Sequence, residues 1–366
     1  MEVTNLLQKL IAIKSFSGHE NELAKFITTW LSKYGLKTQR VGGNLALKIK
    51  GRNSPKAIIF DGHMDTVMPG NLKNWKTDPF KAAVIGKKLY GLGASDMKGG
   101  VAVMMTLAKE LVKNPPPIDV WLAFVVKEEF DGSGSKEFVD WFTKNQKYKK
   151  VAAVIGDTTG LENIEIGHKG NIFIKVRFFG QSGHGSRPDL IAKQAILDAN
   201  QFIVNSLDDK LNEWQKKYPD DYLSSPSIAV TGISSGDSSP NKVPGECMVQ
   251  LDIRTTPRLH QNLKNELDGW LDSYEVIATP APYGYCSPKE RIVQIAAKIA
   301  PKAEITCSSG ATDQCFFTAA GIPAIIFGPG NKAVMHQENE WVDIEELNKF
   351  VEVYKRIVDE FGKIME

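Results

Sequence analysis

Cysteine is scarce in this 366-residue chain: there are four, Cys247, Cys286, Cys307 and Cys315. No two are spaced as Cys-x-x-Cys, which removes a zinc-finger framework. A chain of this length also buries a core without disulfide staples, so the four are expected to be reduced thiols. Charge bias is absent too. Lys and Arg number 45 against 43 Asp and Glu, and no basic block stands out. Nucleic acid and an anionic membrane surface are therefore not expected partners. Long apolar runs are missing: the longest, residues 120–126, is far short of the ~20 residues a spanning helix needs. The start, MEVTNLLQKLIAIKS, mixes acids with amphipathic spacing and does not read as a signal peptide, so the cytoplasm is the expected compartment. There is no internal repeat and no low-complexity segment. Histidine is also sparse, at six residues, and the surroundings of each one matter.

The length suggests two domains. Leu6, Leu7, Leu10 and Ile11, then Leu23, Phe26, Ile27, Trp30 and Leu31, recur at helical spacing, so the start reads as helix. Residues 44–49 alternate like a strand. KAIIFD (56–61), DVWLAFVV (119–126) and 151–155 read as buried strands, and VAVMMTLAKELV after Gly99-Gly100 reads as a buried helix. This alternation predicts an α/β fold with a parallel or mixed sheet covered on both faces. The pattern then changes. Residues 171–179 and 247–253 alternate as half-buried strands, with helical stretches near 192–205 and 208–217 between them. That is the order of a small antiparallel α+β unit. From about Glu290 the α/β pattern returns, with a strand near Ile305, a helix near Cys315, an apolar run at 322–327 and a last helix from Asp343. We therefore expect a catalytic domain of 1–170 plus 280–366, interrupted by an inserted lid or dimerisation domain at 171–279.

Five residues could hold metal. His63 lies in DGHMDTV just past a buried strand, with Asp65 two residues on and able to point to the same side. A metal-bound imidazole usually gives its other N–H to a carboxylate, which suits Asp65; the plainer reading is a loop histidine beside a capping aspartate. Asp96, in YGLGASDMKGG, is either a ligand or a helix N-cap, and the neighbouring glycines indicate a close backbone approach. Glu128 and Glu129 follow the strand 119–126. Adjacent carboxylates repel unless something balances them, and adjacent side chains diverge. One could ligate a metal while the other reaches a reacting water; a solvated turn is the alternative. Asp157 ends VAAVIGD, and His336 lies in GPGNKAVMHQENEWV. Singly these read as loop residues. Jointly, they stand past buried strands or beside a glycine loop, where open α/β sheets place their sites. His19 and His260 read as surface residues, and Arg187 as a possible substrate contact.

The segments GHMDTV, LYGLGASDMKGG, KEE, IGD, GQSGHGSRPD, PNKVP, DIR, GATD and MHQENE occur in this order along the chain. Together they resemble the co-catalytic zinc family that includes succinyl-diaminopimelate desuccinylase, acetylornithine deacetylase, aminoacylase and glutamate carboxypeptidase. The resemblance runs over nearly the whole chain. It implies a zinc aminopeptidase-like α/β domain with an inserted lid that usually forms a homodimer. It also implies two Zn2+, with Co2+ or Mn2+ as substitutes, acting on a small N-acyl amino acid or short peptide. By the same resemblance, His63 and Asp157 match ligands of the first metal and Glu129 and His336 ligands of the second. Asp96 matches the bridging carboxylate, Asp65 the partner of His63 and Glu128 the general acid/base. His184 resembles the residue that stabilises the oxyanion, often across the dimer interface. Asn241 and Arg254 resemble lid residues that touch substrate, and Gly310 a substrate-backbone contact. Imidazole and carboxylate donors suit zinc without any thiolate. Two departures stand out. Asp157 replaces the Glu expected of deacylases and carboxypeptidases, and Thr158-Thr159 follows where Pro is common; Asp is more typical of aminopeptidase and dipeptidase branches. The stretch SRPDLIAKQAI also differs from the desuccinylase itself. Deacylase and dipeptidase or other exopeptidase readings both stay open. A catalytically dead relative is disfavoured, because all five ligands and Glu128 are present.

Overall fold

A computed structural model of the chain describes residues 2–236, 239–277, 280–308 and 310–363. These residues sort into two compact units, one drawn from 1–167, 284–308 and 312–366, the other from 168–283 and 309–311. Residues 278–279, at the edge of the expected insertion, lie outside the described residues, as do the terminal positions 1 and 364–366.

The first unit is built on one large mixed sheet. Its strands are β1 (Thr38–Val41), β2 (Asn44–Ile49), β3 (Asn53–His63), β4 (Ile118–Val125), β5 (Lys150–Thr158), β6 (Asn163–His168), β7 (Gly284–Tyr285), β8 (Glu304–Ser308) and β9 (Ala324–Gly328). They lie in the order β1-β2-β4-β3-β5-β9-β6-β7, with β8 paired to β6. The four central strands, β4-β3-β5-β9, are all parallel, while β1–β2, β2–β4 and β9–β6 pair antiparallel. The unit's helices are α1 (Glu2–Ile11), α2 (Asn21–Ser32), α3 (Lys98–Lys113), α4 (Ser133–Asn145), α5 (Arg291–Ile299), α6 (Gln314–Ala319) and α7 (Ile344–Gly362). The pleat divides each central strand between two cores. Ile58, Phe60, Val120, Leu122 and Phe124 share one core with Leu7, Leu10, Ile27, Val103, Ile292 and Phe350. Ala57, Ile59, Trp121, Ala123 and Val125 share the other with Phe138, Phe142 and Phe317. Being covered on both faces is why these strands are unbroken apolar runs in sequence. Each large side chain so buried contributes about 1.5–3 kcal/mol relative to exposure.

The start of the chain is two helices rather than one continuous helical stretch. Both α1 and α2 bury their apolar stripes in the same core. The intervening segment departs from helix because its polar groups bond elsewhere: Ser15 Oγ donates to Met64 O (2.8 Å) and Thr66 N–H to Ser15 O (2.9 Å). The glycine pair in the first turn of α3 does mark a close approach. A Cβ on Gly100 would lie 2.2 Å from the carbonyl oxygen of Gly156, so glycine lets α3 seat directly against β5.

The second unit has a four-stranded antiparallel sheet in the order Ser227–Ser235, Glu246–Thr255, Gly170–Phe179, Glu275–Val276. Ile172, Ile174, Val176, Val249, Leu251 and Ile253 face a core completed by Trp214, Leu259, Leu263 and Leu267. The helix expected over 192–205 forms over Ala195–Gln201 and then widens to a π turn at Phe202–Ser206 before Leu207–Lys217. Glu266 ties this unit's helices together. It accepts from Trp214 Nε1 (2.8 Å), Tyr218 Oη (2.7 Å) and Lys217 Nζ (2.7 Å), and Lys210 Nζ lies 3.3 Å away. Desolvation works to raise its pKa, but these donors outweigh it and hold the carboxyl at about 2. The folded value is therefore below the unfolded one. The stability it contributes is present above about pH 4.5 and is lost as pH falls towards 2. Glu266→Gln is expected to lower stability at pH 7 by about 1–2 kcal/mol, the lysine pairs being partly screened by water. In urea unfolding the gap to wild type should narrow by about half at pH 3; a gap of constant size would show that charge plays no part.

Candidate metal centre

The centre sits along one edge of the sheet, at the carboxyl ends of the four parallel strands. His63 closes β3, where it pairs in register with Val125 of β4. Glu128 and Glu129 follow β4. Asp157 lies near the end of β5, two residues beyond the Asp61–Ile155 pairing that aligns β3 with β5. His336 follows β9. Four separate stretches of chain thus deliver polar groups to one place, as parallel α/β sheets do.

His63 is buried. Its Nε2 lies 3.0 Å from Asp96 Oδ1, and its Nδ1 lies 3.0 Å from the peptide oxygen of Asp65. The Asp65 carboxylate, expected to take this N–H, is 3.6 Å from Nδ1, beyond hydrogen-bond range. That carboxylate instead accepts from Ser17 Oγ (2.6 Å) and from the backbone N–H groups of Glu128 (3.2 Å) and Glu129 (3.1 Å). Asp65 thus links the imidazole, through its peptide, to the turn carrying the two glutamates, through its side chain.

Asp96 does not cap α3. The N-cap position is Met97 and makes no side-chain cap bond, while the Asp96 carboxylate turns to His63 and to His336 Nε2 (3.1 Å). Its loop is held by Glu340, only 2% exposed, which accepts from the N–H groups of Gly93 (2.7 Å), Ser95 (2.7 Å) and Asp96 (2.8 Å). Desolvation and the like charge of Asp96 push the Glu340 carboxyl up to about 8, against the pull of those N–H groups. His336 has φ +56°, a left-handed conformation that a non-glycine residue holds at a cost of about 1–3 kcal/mol. Its Nε2 also lies 3.0 Å from Glu129 Oε2. The carboxylates of Asp96 and Glu129 hold its pKa up at about 10. Desolvation raises the Asp157 carboxyl, with Asp96 adding like charge. Desolvation also holds Glu128 well above the usual carboxylate range; the positive field of His63 opposes this, and Asp313, Asp157 and Glu129 add to it.

These residues fit a metal. One atom each of His63, Asp96 and Glu129 lie within 4.8 Å of one another, and His336 touches both carboxylates. Asp96, Asp157, Glu128 and Glu129 crowd the buried His63 and the half-exposed His336, a surplus of negative charge that a cation would balance. Imidazole nitrogen and carboxylate oxygen without thiol suit zinc, cobalt or manganese.

The lid candidates lie in the second unit. His184 pairs in register with Lys242, and Gly185 N–H donates to Asn241 O (2.7 Å), so His184 and Asn241 are neighbours. Ser186 Oγ lies 2.8 Å from His184 Nδ1. Arg254 pairs with Asp252, its Nη2 donating to Oδ2 (2.9 Å) and its Nε lying 2.9 Å from Oδ1, over the ring of Phe173. Gly310 is exposed. His260 is half-buried, not the surface residue expected, with Nδ1 2.9 Å from Thr255 Oγ1. Sequence reasoning passed over Ser17, Glu20 and Glu340. For Glu340 there was a signal, since it ends the HQENE stretch that begins at His336.

Fold and centre together define a metal-dependent hydrolase. The chain belongs to Peptidase family M20/M25/M40, whose model matches residues 59–360. Among curated proteins it is similar to the succinyl-diaminopimelate desuccinylase of Wolbachia pipientis wMel, 26% identical over an alignment of 380 positions that covers 99% of this chain and 94% of that one. Among solved structures it is similar to a tripeptidase from Staphylococcus aureus (TM-score 0.80, 21% identity, covering 99% of this chain and 98% of that one). It is likewise similar to an M20 family metallo-carboxypeptidase from Sulfolobus solfataricus (TM-score 0.78, 20% identity, each chain covered fully). At these identities the structural likenesses establish the mixed α/β fold. Among the described residues, no helix is long and apolar enough to cross a membrane.

Proposed function

We propose that this hydrolase uses two zinc ions to cleave the amide bond of small N-acyl amino acids in the cytoplasm. The observation that carries the reading is the meeting of His63, Asp96, Glu129 and His336, with Glu128 and Asp157 beside them, at one end of the parallel strands. His63 and Asp157 would hold one ion, His336 and Glu129 the other, and Asp96 both. Ions bound there would polarise the scissile carbonyl and make the attacking water more acidic. The chain supplies the rest. Glu128 takes a proton from water as its oxygen bonds to the carbonyl carbon, then returns it to the leaving nitrogen as the C–N bond breaks. A carboxyl raised well above its usual range suits such a two-way transfer near neutral pH. Asp65 keeps Glu128 in place through its backbone N–H. His184 donates to the oxyanion, a role worth about 3–4 kcal/mol elsewhere. Arg254 binds a substrate carboxylate, exchanging Asp252 for it. Asn241 and Gly310 complete the substrate contacts. The chain acts as a homodimer; the outer strand Ser227–Ser235, with Val230 and Ile233 exposed, is, among the described residues, an unpaired sheet edge suited to a second copy.

One observation favours a second reading, cleavage of short peptides. Asp157 is one methylene shorter than the glutamate expected of deacylases. The two readings are separated by assaying the zinc-loaded protein on N-succinyl and N-acetyl amino acids beside dipeptides with a free amine. At least tenfold higher kcat/KM on an acylated substrate is expected. The reverse preference would move the function to the peptidase reading, and turnover of neither panel would overturn both.

A further inference from the structure

The turn that carries Glu128 and Glu129 begins at Lys127, whose φ of +59° is left-handed and costs a side-chain-bearing residue about 1–3 kcal/mol. The Lys127 carbonyl accepts the N–H groups of Asp131 (3.1 Å) and Gly132 (2.8 Å), which makes its peptide the pivot of the turn. Its own N–H donates to Glu20 Oε1 (3.2 Å), which also accepts Gly18 N–H (2.8 Å). Glu20 is 6% exposed and stands at the N-cap position of α2. A carboxylate there would ordinarily take one of the helix's own first N–H groups, but Glu20 makes no such bond. It has turned away from the helix to reach the catalytic turn. Three residues earlier, Ser17 Oγ donates to the Asp65 oxygen that receives Glu129 N–H. Residues 17–20 thus hold three consecutive N–H groups, those of 127, 128 and 129, one directly and two through Asp65. This segment precedes residue 59, where the family match begins.

We propose that Glu20 is a positioning residue: its carboxylate fixes the strained Lys127 peptide and so aims Glu128 and Glu129, and Ser17 adds to the brace through Asp65. The effect on catalysis rests on the roles proposed above for those two glutamates. The test compares Glu20→Ala, Glu20→Gln and Ser17→Ala with wild type in three measurements. Glu20→Ala is expected to lower kcat about 10–100-fold with KM within about twofold, as misplacement of a reacting group by about 1 Å does. Glu20→Gln, whose amide oxygen still accepts both N–H groups, should recover to within about threefold of wild type, and Ser17→Ala should fall between. Calorimetric titration of the metal-stripped proteins with zinc should show one ion bound about tenfold more weakly in Glu20→Ala, as loss of a ligand's support does. Amide exchange at 127–129, read by mass spectrometry, should quicken in Glu20→Ala and not in Glu20→Gln, with or without metal. Unchanged exchange in Glu20→Ala would overturn the proposal, as would equal losses of kcat in the Ala and Gln variants. A wild type that binds no zinc, yet shows the exchange difference, would overturn the roles of Glu128 and Glu129 and leave the brace standing.

Discussion

Chelation of the protein abolishes hydrolysis, and returned zinc restores it: this is the expected result with the largest effect. Lewis-acid stabilisation of developing charge is worth several kcal/mol, so the loss should be about 10³-fold or more. The structure gives a further reason. The imidazoles of His63 and His336 lie against the carboxylates of Asp96 and Glu129, which favour their protonated forms. A protonated imidazole cannot ligate, so rebinding must expel those protons, and recovery should be faster at pH 8 than at pH 6. The fold should survive stripping, because both cores of the first unit are apolar and contain none of the five candidate ligands. Metal content and turnover measured on the same sample decide it. Two ions per chain with activity that follows them is the expected outcome, and full turnover in metal-free protein would remove the centre from the chemistry.

The second large effect separates two adjacent residues. Glu128→Gln is expected to lower kcat by about 10²–10⁴-fold, the usual contribution of a positioned acid/base, while zinc content stays at the wild-type value. Glutamine keeps the shape of the side chain, and the turn keeps its Asp65 bond because the donor there is the Glu128 backbone N–H. Glu129→Gln is expected to lose metal as well as turnover, because its carboxylate is the one that meets His336. The contrast is the prediction. Equal zinc loss in both variants, or activity retained in Glu128→Gln, would show that the two carboxylates are not divided between ligation and proton transfer.

The legibility of this protein followed the range of its interactions. The strands at 56–61 and 119–126 could be read because burial on both faces leaves an apolar run in the local sequence. His63, Asp96, Glu128, Glu129, Asp157 and His336 could be singled out because each follows such a run or a glycine loop, and because their motifs stand in a recognisable order. At the start, α1 and α2 bury their apolar stripes in one core, while the polar, glycine-containing segment between Ile11 and Asn21 carries the break.

By itself the sequence determined the α/β class, the family and the inventory of groups that could hold metal, because those depend on residue type and order along the chain. Tertiary structure alone decided how the groups are held. Glu20 receives the N–H of Lys127 from 107 positions away, and Glu340 that of Asp96 from 244. It likewise decided that His63 gives its second nitrogen to a peptide oxygen rather than to the nearby carboxylate. In each case a side chain meets the main chain, and a peptide N–H or C=O is the same at every residue, so no local pattern records which one a distant acid or imidazole will reach.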